Sequence, residues 1–179
     1  MTFYPEMFLS KWHLITLALI AIAWIALIVG GYDRRVVLRS GFGAIIGLYI
    51  ITTIPIAVIT YQEKSIDTAM REQSDRHYEY KMQQLDGPVR EIDRLTVATG
   101  SFRDDDLYEI RIYAGNYNDS YRFHGSLTVR TYDEQGQILD ERMFDDLYIE
   151  PGEVKKIDSY YTSSQFETYR YQFTPDQDS

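Results

Sequence analysis

Chemistry in this chain would have to come from three histidines, a run of aspartates and an unusual supply of tyrosine. His13, His77 and His124 fall in three different segments, and no pair has metal-ligand spacing. There is no glycine-rich phosphate loop and no Gly-x-Ser-x-Gly elbow. Cysteine is absent, which excludes disulfides, thiolate metal sites and cysteine nucleophiles. The residue types therefore assign no catalytic, metal-binding or cofactor-binding group, and the chain reads as a non-enzyme. Asp104-Asp105-Asp106 supplies the hard oxygens that Ca²⁺ prefers, yet without EF-hand spacing it reads as a solvated loop. Asn118-Asp119-Ser120 matches a glycosylation acceptor. Ten of the sixteen tyrosines follow residue 100. Tyr117, Tyr121, Tyr160 and Tyr161 fall at expected strand ends or turns, where a tyrosine makes a good contact residue for a partner.

The elements that would position these side chains begin with two apolar runs, Trp12 to Gly31 and Gly41 to Tyr61. Neither contains Asp, Glu, Lys or Arg. Each is about 20 residues, roughly 30 Å of helix, which matches the hydrocarbon core of a bilayer. Two transmembrane helices forming a hairpin over residues 1–61 are expected. The first is too long for the apolar stretch of a cleaved signal peptide, so retention is expected. The loop Tyr32 to Ser40 holds Arg34, Arg35 and Arg39, and by the positive-inside rule these determine topology: loop in the cytoplasm, both termini outside. Gly43-x-x-x-Gly47 in the second run is a helix-packing pattern. Its default partner is the first helix, and a homo-oligomer through the second transmembrane helix is the sharper alternative. The runs hold no ionisable group beyond His13, at the edge of the first. That argues against a transporter acting alone. Pro55 is expected to kink the second helix.

Gln62 to Leu85 has helix-forming composition and ends at Asp86-Gly87-Pro88. A seam through Ile66, Met70, Gln73, His77, Tyr80 and Gln84 is only partly apolar, so residues 62–89 read as a solvated helical stalk.

From about Arg90 the pattern becomes short alternating runs divided by turn residues. Expected strands are Leu95–Phe102, Tyr108–Ala114, Ser126–Tyr132, Ile138–Tyr148 as one long or two broken strands, Val154–Tyr160 and Thr168–Thr174. Turns fall at Gly115–Asp119, Asp133–Gln137 and Glu150–Glu153. Six or seven strands at this spacing predict an antiparallel β-sandwich over residues 90–179. Residues 1–94 carry ten acidic and ten basic side chains. Residues 95–179 carry seventeen and eight, so this segment supplies the whole net charge of −9. A body this acidic repels phosphate backbones, and no nucleic-acid partner is expected.

Phe123 through Leu139, with its Tyr132-Asp133-Glu134-Gln135-Gly136 turn, resembles the central strand pair of FxLYD-type domains. The Glu150-Pro151-Gly152-Glu153 turn before Val154-Lys155-Lys156 is similar to theirs as well. The resemblance covers roughly residues 90–175. It implies an immunoglobulin-like sandwich of a kind common on bacterial envelope proteins, with binding or spacer roles rather than catalysis. The whole sequence then predicts a membrane α-helical hairpin plus an all-β domain: an integral, multi-pass membrane protein with its C-terminal domain extracytoplasmic. Lipid and an envelope protein are its expected partners. The alternative is an accessory subunit of a transporter or channel complex, acting through its hairpin.

Overall fold

The computed structural model describes residues 4–8 and 10–176. The chain divides into two compact units, one ending at Ile66 and one beginning at Asp67.

The first unit is a helical hairpin. Helix α1 is His13–Val29 and helix α2 is Arg34–Gln84, whose residues up to Ile66 belong to this unit. Asp33 starts α2: its carboxylate accepts from the Arg35 amide at 2.9 Å, and its carbonyl from Val37 N–H at 3.0 Å. The connection is therefore a tight turn with Gly31 at φ 68°. Arg34, Arg35 and Arg39 lie on the opening turns of α2 and not in a nine-residue loop. Two threonines tie the helices together. His13 Nε2 lies 3.2 Å from Thr53 Oγ1, and Thr16 Oγ1 donates to Thr52 Oγ1 at 2.9 Å. Thr52 and Thr53 in turn donate to the carbonyls four residues back. The outward faces are apolar; Leu14, Leu17, Ile22, Ile25, Ile51 and Ile59 are all largely exposed.

Among the described residues only α2 is long and apolar enough to cross a membrane. Helix α1 has 17 residues, about 25 Å, because Gly30 and Gly31 end it before the apolar run itself is complete. The expectation of two full-length spans is thus met by one helix and a shorter apolar companion. Helix α2 runs through Pro55 to Gln84.

In the second unit six antiparallel strands form two sheets. The strands are β1 Leu95–Asp104, β2 Leu107–Asn116, β3 Phe123–Tyr132, β4 Ile138–Ile149, β5 Val154–Thr162 and β6 Thr168–Pro175. One sheet has the order β1-β2-β5 and the other β4-β3-β6. Leu95, Val97, Ile110, Ile112 and Ala114 from the first face Leu127, Val129, Ile149 and Phe173 from the second, closing a sandwich core. In β3 burial alternates along the strand, as a sheet with one wet face demands.

The first sheet breaks that rule. Leu95 to Thr99 and Ile110 to Asn116 are buried without alternation. The cause is α2, whose residues from Asp67 onward lie on the outer face of this sheet. Met70 and Ser74 are fully buried there. Gly100 and Gly115 make the close approach possible. A Cβ on Gly100 would come within 2.7 Å of Met70 Sδ, and one on Gly115 within 2.9 Å of Ser74 Oγ. The solvated stalk expected from the sequence is therefore a packed helix. Its contact stripe is Asp67, Met70, Ser74, His77 and Lys81. The expected seam shares only Met70 and His77 with it.

Candidate functional site

In the second unit an open groove of about 600 Å³ lies between α2 and β6. Its walls include His77, Tyr80 and Lys81 from α2, and Phe166, Tyr169 and Tyr171 at the approach to β6 and along it. The three-to-four-residue spacing of His77, Tyr80 and Lys81 puts them on one helix face. Tyr169 and Tyr171 share a strand face because they are two residues apart.

Polar groups along this groove are tied into the fold. Tyr169 OH donates to Val97 O at 2.9 Å, which leaves His77 Nδ1 to donate to the tyrosine oxygen at 2.9 Å. Lys81 Nζ donates to Leu95 O at 3.1 Å. Burial lowers the Lys81 pKa, against an opposing pull from Asp93. Burial likewise raises the Tyr169 and Tyr171 pKa values, so both rings stay neutral. The rings form a continuous aromatic series: Phe166 meets Tyr169 edge-on at 6.1 Å, and Tyr169 lies beside Tyr171 at 6.5 Å. Such a wall is suited to apolar or aromatic groups.

The residues singled out in the sequence are not gathered into one site. Tyr117 is committed internally: its ring stacks on Tyr78 at 4.3 Å and its hydroxyl donates to Asp75 at 2.6 Å. Tyr121 packs against the core edge. Tyr160 also packs there, beneath the Arg142 guanidinium 4.1 Å from its ring, and burial pushes its pKa up to about 12. Tyr161 alone of the four is largely exposed. Asn118 is buried, with its side-chain amide donating to Glu91 O and Asn116 Oδ1, so its nitrogen is not offered to a modifying enzyme. Asp104 to Asp106 form the β1–β2 turn, with Asp105 at φ 50°. Among the described residues no three His, Asp or Glu side chains converge as metal ligands.

In the first unit a Cβ on Gly43 or Gly47 would meet nothing within 4 Å. The close helix approach falls at Gly41, where a Cβ would come within 2.7 Å of the Trp24 ring. Tyr169 and Tyr171 fall inside the expected strand Thr168–Thr174, where tyrosines read as filling or edging the core, so the sequence does not mark the groove.

No protein-family model matches the chain, and no curated protein matches it.

Proposed function

We propose that this chain is a membrane-anchored, non-enzymatic binding or scaffolding protein that displays its β-sandwich to a partner outside the cytoplasm. The observation that carries the reading is the outer surface of the first unit. From Leu14 to Ile59, large aliphatic side chains stand exposed on both helices, far beyond the few hundred Å² of apolar patch a soluble surface tolerates. Lipid is the solvent that such a surface fits. On this reading α1 is the second leg of a multi-pass hairpin. His13–Thr53, Thr16–Thr52 and the Gly41–Trp24 approach support it, because they satisfy polar groups between the helices and leave apolar ones outside. The cluster of Arg34, Arg35 and Arg39 at the turn supports a cytoplasmic side for that end.

The strand order supports an immunoglobulin-like assignment for the β-domain. First, second and fifth strands against fourth, third and sixth correspond to A-B-E against C′-C-F of that pattern. The FxLYD-type resemblance is compatible with the same order. The alternative, an accessory subunit working through its hairpin, is favoured by one observation: Gly43 and Gly47 leave a small-residue stretch of α2 clear for another helix, whether from a transporter, a channel or a second copy.

Alkaline carbonate extraction tests the anchor, and retention in the membrane pellet is expected. Labelling Gln135→Cys and Val36→Cys separately, in a background with no native cysteine, tests the orientation. Gln135→Cys should react with an impermeant maleimide on intact cells and Val36→Cys only after permeabilisation. The reverse pattern would place the β-domain in the cytoplasm.

A further inference from the structure

The second sheet ends on β6, which among the described residues bonds to β3 and to no other strand. The ladder determines which main-chain groups are left over. Asp176 N–H donates to His124 O, and the same register pairs Thr174 with Ser126, Gln172 with Thr128 and Arg170 with Arg130. In an antiparallel ladder alternate residues turn their N–H and C=O toward one neighbour and then the other. Residues 170, 172 and 174 therefore bond to β3. The main-chain groups of Tyr169, Tyr171 and Phe173 point away from the sheet.

The other three sheet edges carry devices that discourage pairing. Two carbonyls of β1 are occupied from outside the sheet, Leu95 O by Lys81 and Val97 O by Tyr169 and His77. Strand β5 carries Lys155 and Lys156 directly after its first residue and has a register shift opposite Ile112 and Tyr113. Strand β4 has Asp140, Glu141, Arg142, Asp145 and Asp146, with Asp146 at φ 54° and two register shifts against β3. Strand β6 is regular along eight residues and borders the aromatic groove, whose walls come from α2, β1, β6 and the residues just before β6, none from β3.

We propose that β6 accepts an extended segment of a partner protein as an added strand, with apolar side chains facing the groove and an acidic side chain beside Arg170. Added strands gain affinity from main-chain hydrogen bonds and specificity from alternate side-chain pockets. Phe166 and the tyrosines provide the pocket wall. The charge preference comes from the outer face. Arg170 sits opposite Arg130, and Arg130 is held by Glu141 at 2.8 Å. Among the described residues Arg170 has no carboxylate partner and lies over the Tyr132 ring at 5.5 Å. A carboxylate on an added strand would relieve this like-charge pair. A second copy pairing through its own β6 would instead bring two further arginines to the same face. The inference deepens the reading of the chain as a binding protein by naming its partner's chemistry.

The test uses the full chain in detergent micelles and the probe peptide acetyl-Thr-Val-Thr-Val-Glu-Val-Thr-Val-amide, followed by residue-resolved amide exchange. Exchange at Tyr169, Tyr171 and Phe173 should slow by about tenfold at saturation, and N-methylation of alternate peptide residues should abolish the effect. Arg170→Glu should weaken this peptide by about threefold and favour its lysine-centred counterpart by a similar factor. Unchanged exchange at about 1 mM peptide, or slowing confined to β4 or β5, overturns the proposal. Slowing that follows protein concentration without peptide gives the edge to a second copy and overturns it too. Failure of the membrane reading would appear separately, as release by carbonate.

Discussion

Ser74 Oγ and Thr96 Oγ1 lie 2.9 Å apart with both residues fully buried, and this bond joins a helix to a sheet. Each hydroxyl has a polar partner in a contact otherwise made by Met70, Gly100 and Gly115. Ser74→Ala leaves Thr96 without that partner and should cost about 1–2 kcal/mol. Adding Thr96→Val removes the stranded group, so the double variant should lie closer to wild type than the two single costs sum to. Chemical denaturation of the full chain measures the cycle, and strict additivity would mean the bond is not made.

The same helix face creates an alkaline limit. Tyr113 lies beneath α2 and donates to Asp67 at 2.9 Å. Burial, reinforced by that carboxylate, pushes its pKa up to about 12. A pKa raised above the unfolded value of about 10 contributes stability fully present below pH 10. The contribution is lost as pH climbs toward 12. Stability should therefore fall across that window, and Tyr113→Phe should flatten the fall. An identical profile in the variant would remove Tyr113 as its source.

His124 is bracketed by carboxylates, with Asp146 at 2.7 Å from Nε2 and Asp176 at 3.2 Å from Nδ1. The Asp146 hydrogen bond is the largest influence and raises the His124 pKa; desolvation opposes it and Asp176 adds to the rise. Since the folded value is raised, the stabilisation is complete below the unfolded pKa of about 6.5 and disappears as pH rises through the folded value. NMR titration should place His124 above its unfolded value. Asp146→Asn should bring it down; asparagine suits the positive φ at this position, so the backbone is kept. A titration insensitive to that substitution would show that the pair does not form.

Gly125 marks a register break between β3 and β4, and a Cβ there would stand 2.2 Å from Thr174 O on β6. Because the obstacle is backbone, relief requires the strands to part. Gly125→Ala should destabilise the chain by about 2 kcal/mol, whereas Gly136→Ala, in an open turn at φ 76°, should cost only its backbone strain, about 1 kcal/mol. Denaturation midpoints of the two variants separate steric from conformational cost.

Much of the β-domain was legible because its punctuation is chemical. Gly136 and Pro151-Gly152 mark turns that the chain makes, and alternation in β3 and β6 gave strand positions within a few residues. The helix-to-sheet contact was not legible. Its partners are Gly100, Gly115, Thr96 and Ser74, small or polar residues with no hydrophobic signal, and Met70 alone could not define a stripe. Burial loses its alternation from Leu95 to Thr99, as a strand covered on both faces requires, but Thr96, Ala98 and Thr99 are too small or polar to announce it. The groove was hidden for a related reason: it is made where α2 passes β6, and residues 77 and 169 are brought together only by the fold.

The helical hairpin can be tested through the position of its closest approach. Thr16 and Thr52 meet at 2.9 Å, so cysteines at both positions should form a disulfide under mild oxidation in the cysteine-free chain. The approach depends on Gly41, against which the Trp24 ring lies; a side chain there must displace the indole, and α1 with it. Gly41→Leu should therefore sharply reduce the Thr16→Cys/Thr52→Cys cross-link. Gly43→Leu and Gly47→Leu, placed in open space, should leave it unchanged. Equal loss in all three variants would return the packing role to the Gly43–Gly47 pair. Loss in none would mean that Thr16 and Thr52 hold the helices together without the glycine.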